Sequence, residues 1–154
     1  MIAGLQVPTE YRAIVNAHFR IDPPAGTPPL VGVLNGTTQW IFAFPGRLSV
    51  TISAGDRYLD MARDVLANTI WNEVAGVTGL KDPLPPWQIV RERRATFAAT
   101  PAQDAKRPSA ETKWRNLALA GDWTNTGLPA TIESAIRSGN RAAELIGRRA
   151  ASLQ

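Results

Sequence analysis

The stretch that decides the fold is LALAGDWTNTGLPATIESAIRSGNRAA, which spans residues 117–143. Residues 117–120 form a short apolar run, which is typical of a buried β-strand. The pair Gly121-Asp122 lies at the end of this predicted strand. A polar loop and a long helix follow, and Pro129 suits the first helical position because its fixed φ matches a helix. The end of a strand beside the start of a helix is where α/β proteins hold phosphates and cofactors. The stretch therefore predicts a strand–loop–helix unit with a ligand at the turn.

The predicted helix carries a stripe of apolar and small residues. Its members recur at steps of three or four residues and are Ile132, Ala135, Ile136, Gly139, Ala143 and Ile146. Because small residues let a helix approach a sheet closely, we expect this stripe to be buried and Gly139 to tolerate no bulk. Asp122 is an acceptor-only side chain at the strand's end, where a sugar hydroxyl can reach it.

The first half of the chain is typical of antiparallel strands, which we expect at residues 11–21, 30–34, 38–44 and 47–53. Alternation of apolar and polar side chains marks the first of them as half-buried. Asn35-Gly36 is the strongest short signal for a hairpin, and Pro45-Gly46 turns the chain again. These signals together predict a four-stranded meander.

A helix and a further strand follow the meander. Residues 56–77 repeat apolar side chains at helical steps, with Asp56 at the positive end and Gly76 and Gly79 at the other. Residues 87–97 alternate once more and predict a strand. The expected fold class is α+β, an antiparallel sheet meander with a crossing helix plus the C-terminal strand–loop–helix.

The composition excludes several kinds of site. The chain has 154 residues, of which 44% are hydrophobic and 19% charged, as in ordinary globular proteins. It has no cysteine, which excludes a disulfide framework, a thiolate metal site and a thiol nucleophile. His18 is the only histidine, so a histidine pair for a metal is unavailable and we expect no metal. On a strand face, a single histidine favours a hydrogen-bonded structural role.

The net charge of +4 lies mainly in the second half of the chain. Such a bias attracts nucleic acid, an anionic membrane or a pyrophosphate, or it simply keeps an apolar domain in solution. We favour the interpretation that the basic residues keep the domain in solution, and we expect no nucleic-acid partner. No apolar run approaches a membrane span and no leader pattern is present, so we expect a cytoplasmic protein and leave peripheral membrane contact open.

Two further groups of side chains allow a structural and a functional interpretation. Trp40, Phe42 and Phe44 favour core packing, with the lining of a hydrocarbon tunnel as the alternative. Glu133 favours an ion pair or a role at the helix dipole over that of a general base.

The stretch resembles the C-terminal flavin-binding segment of the amine oxidase and phytoene desaturase superfamily. Three blocks carry the resemblance: Ala120-Gly121-Asp122, Glu133-Ser134-Ala135 and residues 138–143, SGNRAA. Ser134 stands where many relatives carry glycine. With residues 97–101, FAATP, upstream, the match is best to the squalene-associated branch, the hydroxysqualene dehydroxylases of hopanoid synthesis.

The resemblance implies that the cofactor is FAD and that it is bound by Gly121, Asp122, Thr131 and Ile132. Asp122 would hold the ribityl or pyrophosphate region, and the N–H groups of Ile132 and Thr131 would face the pyrimidine carbonyl of the flavin. Thr131 stands where monoamine oxidases carry an aromatic residue, which disfavours amine oxidation and suits a bulky hydrocarbon. The resemblance assigns no catalytic residue.

The resemblance also implies how the chain divides. Residues 1–100 correspond to a substrate-domain portion and residues 101–154 to a C-terminal FAD-domain segment, with crossings expected near 81–86 and 101–116. No G-x-G-x-x-G occurs in the chain, so the FAD site is expected to be incomplete. We therefore expect the C-terminal part of a longer Rossmann-like flavoenzyme, inactive alone, whose partner is the missing N-terminal portion.

The implied reaction is the reduction of a large isoprenoid hydrocarbon, hydroxysqualene, to squalene. The alternatives are a carotenoid or phytoene-type desaturase, or another flavin amine oxidase family member. A non-catalytic basic binding module is the alternative of a different class.

Overall fold

The computed structural model describes residue 2 and residues 4–151. The chain divides into two compact units, a sheet unit of residues 12–95 and a loop–helix unit of residues 1–11 and 96–154. The proline-rich segment 81–86, expected at a crossing, lies inside the sheet unit. The division of the chain at residue 100, into a substrate-domain portion and a C-terminal FAD-domain segment, stays a prediction.

A five-stranded antiparallel sheet forms the first layer. Its strands are β1 (Tyr11–Phe19), β2 (Leu30–Gly32), β3 (Trp40–Phe44), β4 (Arg47–Ile52) and β5 (Trp87–Phe97), in the order β2-β3-β4-β1-β5. The strand predicted at 87–97 is confirmed. The four-stranded meander is wrong in one respect, because β1 pairs with β4, with Ala17 opposite Val50, and not with β2. The proline-rich loop after β1 cannot continue a hairpin ladder, and it leads the chain to the far edge of the sheet instead.

One face of the sheet packs against α1 (Arg63–Thr78). The buried side chains of this core are Val15, Ala17, Phe19, Ile41, Leu48, Val50, Ile52, Tyr58, Leu66, Ala67, Ile70, Trp71, Val74 and Ile89. The rings of Phe19 and Trp71 lie 5.2 Å apart between their centroids. The opposite face of the sheet is not covered by α1.

The helix predicted over 56–77 starts later than expected, because a 3-10 turn, Gly55–Tyr58, precedes α1. Ala62 has ψ of 139°, an extended conformation that separates the turn from the helix. Asp56 does not lie at the start of α1, since its carboxylate accepts a hydrogen bond from the N–H of Ala13 at 3.3 Å. Gly76 lies within α1, whereas Gly79, with φ of 78°, ends it as predicted.

The turn predicted at Asn35-Gly36 is longer than a two-residue hairpin. Residues 33–39 connect β2 and β3. Glu73 on α1 accepts hydrogen bonds from the N–H groups of Thr37 (2.9 Å) and Thr38 (2.6 Å), which holds this loop against the helix. Burial raises the pKa of the Glu73 carboxyl, but the N–H groups of Thr38 and Thr37 outweigh it and leave the pKa lowered.

The loop–helix unit contains α2 (Pro101–Asp104) and α3 (Ile132–Ala151). The strand predicted at residues 117–120 is absent, and the segment makes only an isolated bridge between Glu111 and Ala118. A buried strand needs neighbours on both sides, and no other described segment pairs with this one. Of the helices in the described residues, none has both the length and the apolar character needed to span a bilayer.

Candidate functional site

The start of α3 leaves backbone donors open. Thr131 caps the helix, since its Oγ1 accepts a hydrogen bond from the N–H of Ser134 at 3.1 Å, so Pro129 precedes the helix instead of opening it. Among the described residues, the N–H groups of Ile132 and Glu133 have no partner. Ile132 is 83% exposed. This end of α3 therefore presents free donors and the positive end of the helix dipole, which together suit an anionic or carbonyl group.

The face of α3 that packs within this unit is not the predicted one. The buried residues of the helix are Ser134, Ser138 and Leu145. In the predicted stripe, Ile132, Ala135, Ile136, Gly139 and Ala143 are exposed, and Ile146 is half-buried. A Cβ on Gly139 would meet nothing within 4 Å. The prediction of a buried small-residue stripe is therefore wrong for the described residues.

Gly121 lies at a close approach that requires glycine. Its φ is +138°, and an added Cβ would overlap the indole of Trp123, lying 2.5 Å from Cδ1. Its N–H donates to Ser138 Oγ at 2.7 Å, which joins the end of the predicted strand to α3. Gly121 thus fixes the position of the loop that follows it.

Asp122 presents an uncommitted carboxylate. Its main-chain oxygen accepts hydrogen bonds from Arg107 Nη2 (3.2 Å) and Ser134 Oγ (3.4 Å). The side-chain oxygens have no hydrogen bond to any described residue, and the residue is half-buried. The structure therefore holds the backbone of Asp122 in place and leaves the carboxylate available to a hydroxyl donor.

Sequence reasoning missed Arg107 and Thr126, and it missed that Ser134, though part of the motif, helps to hold this loop. Arg107 Nη2 donates to Thr126 Oγ1 at 3.1 Å, and Thr126 Oγ1 lies 2.6 Å from Ser134 Oγ. The spacing of Ser134 and Ser138 by one helical turn is a signal that could have identified the packed face of α3. No pattern in the sequence distinguishes Arg107 from the other arginines.

The structural interpretations that we preferred for Glu133 and His18 are confirmed. Glu133 pairs with Arg137, with 2.6 Å between Oε1 and Nε. His18 Nδ1 lies 3.0 Å from Ser49 Oγ. Burial and the charge of Arg47 lower the pKa of His18. In the part of the chain that the structure describes, no cluster of three His, Cys, Asp or Glu side chains could hold a metal.

The side of the sheet opposite α1 carries an apolar patch, here called the aromatic face, made of Leu30, Trp40, Phe42 and Phe44. Leu30 pairs with Phe42 across β2 and β3, and the two share this side with Trp40 and Phe44. Leu30 is 49% exposed, Trp40 45% and Phe44 42%, so the core-packing interpretation is wrong for Trp40 and Phe44. The alternative, the lining of a hydrocarbon tunnel, stays a prediction, and an exposed apolar patch is typical of an interaction site.

Comparison with known proteins gives consistent matches. Residues 2–147 match the family described as flavin containing amine oxidoreductase. Hydroxysqualene dehydroxylase of Rhodopseudomonas palustris is 64% identical over 146 residues, which make up 95% of this chain. The proteins of the same name from Sinorhizobium fredii and Zymomonas mobilis are 60% and 50% identical over 145 residues, or 94% of this chain.

The matched region is 35% of the length of each of these three relatives. The relatives agree with the squalene-associated resemblance carried by residues 97–101 and 120–143. Since the family match covers nearly all of the sequence, this chain belongs to the flavin-containing amine oxidoreductase family.

Proposed function

We propose that this chain is the C-terminal part of an FAD-dependent oxidoreductase that reduces hydroxysqualene to squalene in hopanoid synthesis. The observation that carries the proposal is 50–64% identity, over 94–95% of the chain, to three proteins named hydroxysqualene dehydroxylase. The N-terminal portion with the G-x-G-x-x-G phosphate-binding loop would complete the site, because this chain spans only 35% of those proteins.

The residues at the start of α3 fit a flavin. The free N–H groups of Ile132 and Glu133 can donate to a pyrimidine carbonyl, and the helix end carries about half a positive charge that stabilises an anionic reduced flavin. The uncommitted carboxylate of Asp122 can accept from a ribityl or ribose hydroxyl. Gly121 holds the Asp122 segment through its close packing on Trp123, and Thr131 holds the first turn of α3 by capping the helix.

The role of this chain's residues in the reaction is binding and orientation. When bound, reduced FAD would supply the hydride that replaces the substrate hydroxyl, which leaves as water with a proton. The aromatic face would hold the isoprenoid chain, since burial of its four side chains against hydrocarbon removes exposed apolar surface from water. No residue of the chain is assigned as the proton donor.

Such a substrate partitions into lipid, so we also propose that the whole enzyme is cytoplasmic and touches a membrane peripherally. The cysteine-free composition agrees with a reducing compartment. Leu34, which lies outside the aromatic face and is 88% exposed, suits a membrane surface.

The full-length enzyme tests the proposal. It is reconstituted with FAD, reduced chemically without oxygen and mixed with hydroxysqualene, and squalene is measured by mass spectrometry. Stoichiometric formation of squalene is expected, with no product when FAD is left out. Oxidation of phytoene by the enzyme with oxidised FAD, without conversion of hydroxysqualene by the reduced enzyme, would favour the desaturase alternative. A protein that binds no flavin would favour the non-catalytic basic module.

A further inference from the structure

Arg107 is a buried cation whose role is not explained by the packing of a core. Its side chain is 3% exposed, and it lies in the irregular segment after α2. Its guanidinium carbon stands 4.9 Å from the ring centroid of Phe97. Burying an arginine is costly unless its donors are paired, so the partners of this residue show what it holds.

Most of those partners belong to the loop between Gly121 and α3. Nη2 donates to the main-chain oxygens of Thr124 (2.6 Å) and Asp122 (3.2 Å) and to Thr126 Oγ1 (3.1 Å). Nη1 donates to the carboxylate of Asp104 at 3.0 Å. Arg107 Nε is buried without a partner in the described chain, so the two terminal nitrogens make all of the hydrogen bonds.

Most other hydrogen bonds of the loop are local, such as those from the N–H and Oγ1 of Thr124 to the oxygen of Gly121 at 3.1 and 2.8 Å. Residues 121–131 contain no helix or strand, and the N–H of Asn125 bonds to the oxygen of Pro108, next to Arg107 in sequence, at 2.8 Å. The hydrogen bonds also continue from Thr126 Oγ1 to Ser134 Oγ in the first turn of α3. One guanidinium therefore bonds directly to the backbone of Asp122 and is linked, through Thr126, to the first turn of the helix.

We propose that Arg107 is a positioning residue for the flavin site: it holds the Asp122–Thr126 loop and the first turn of α3 in the arrangement that binds the cofactor. The inference rests on the proposed function, which places the flavin at Asp122 and the α3 N-terminus. A guanidinium is required because its planar fork reaches several acceptors at fixed angles, whereas an ammonium acts as a single point charge.

The test uses the full-length enzyme with Arg107→Lys, which keeps the charge and loses the fork. Arg148→Lys is the matched control, because Arg148 is an exposed arginine in the last turn of α3 whose ion pair within the described residues is with Glu144 at 3.7 Å. For each protein, the Kd for FAD is measured by fluorescence titration, together with the visible absorption spectrum and the midpoint potential of the bound flavin.

Arg107→Lys is expected to raise the Kd for FAD at least tenfold and to shift the spectrum and potential of the flavin that remains bound. Arg148→Lys is expected to match the wild type in all three. A purely structural role for Arg107 would lower the melting temperature but leave the spectrum and potential of bound flavin unchanged, and that result would overturn the inference.

Thr126→Val is the second variant, in case Arg107→Lys does not fold. It removes the hydroxyl between Arg107 and Ser134 at nearly constant volume and is expected to raise the Kd about threefold, with the same direction of spectral shift. If Thr126→Val has the same Kd for FAD and the same flavin spectrum as the wild type, the positioning role is refuted. A wild-type enzyme that binds no FAD would instead refute the proposed function, which keeps the two failures distinct.

Discussion

Replacing Gly121 by alanine should destabilise the loop–helix unit strongly, for two reasons that the structure separates. The φ of +138° is strained for any residue with a Cβ, at a cost of about 1–3 kcal/mol. The new Cβ would also overlap the Trp123 indole, and such overpacking costs about 1–3 kcal/mol more. The expected loss of about 2–6 kcal/mol is a large share of the roughly 5–15 kcal/mol that stabilises a domain.

Urea unfolding of the chain, followed by tryptophan fluorescence, measures this loss. With a denaturant slope of about 2 kcal/mol per molar, the midpoint of Gly121→Ala should fall by about 1 M or more. In a Trp123→Ala background, the overlap with the indole is absent, so Gly121→Ala should lower the free energy of unfolding only by the part that comes from the strained φ. Gly139→Ala is the control, because its Cβ meets nothing and alanine favours a helix, so its midpoint should rise slightly. Equal midpoints for Gly121→Ala and the wild type would refute the close approach at Gly121.

Three further predictions concern the cofactor and pH. The isolated chain should fold but bind FAD only weakly, and stoichiometric submicromolar binding in a calorimetric titration would contradict an incomplete site. In the full-length enzyme, Asp122→Ala should lose a charged hydrogen bond worth roughly 1.5–3 kcal/mol, so its FAD should be lost on dialysis while the wild type retains it. The carboxylate of Glu73, whose folded pKa is below its usual 4.5, should stabilise the sheet unit above about pH 4.5 and lose that effect as the pH falls through the folded pKa. The urea midpoint of Glu73→Gln should therefore lie below that of the wild type at pH 7, and the gap should close in acid.

The elements that local signals determine could be predicted from the sequence. Strand β5 follows from alternation, and the end of α1 follows from Gly79, whose φ of 78° favours glycine. The start of α1 could not be predicted, because the apolar repeat of the sequence includes Leu59 and Ala62, whereas the backbone becomes α-helical only after them. Asp56 is drawn instead to the N–H of Ala13, a contact between segments far apart in sequence that no local pattern encodes.

The predicted length of the β2–β3 loop was wrong for a similar reason. Asn35-Gly36 is a sound hairpin signal by itself, but the carboxylate of Glu73 takes up the N–H groups of Thr37 and Thr38. Two charge-assisted hydrogen bonds outweigh the local preference for a tight turn. The candidate site shows the same limit, since Gly121, Asp122, Thr131 and Ile132 were named from a motif, whereas the long-range contacts of Arg107 were not visible in it.

The predicted stripe on α3 is the most instructive difference, because the sequence pattern and the structure each account for one face of the helix. Within this chain, α3 packs by its serines, and Ser138 Oγ accepts the N–H of Gly121. The apolar side, with Ile136 54% exposed, lies mostly open to solvent in the described residues. A helix apolar on one side and hydrogen-bonded on the other is suited to burial between two layers. If the missing portion of the proposed enzyme supplies the second layer, both the segment 117–120, which joins no strand of the described sheet, and the exposed stripe of α3 have a partner there. The helix that we propose donates to the flavin is then held on both sides.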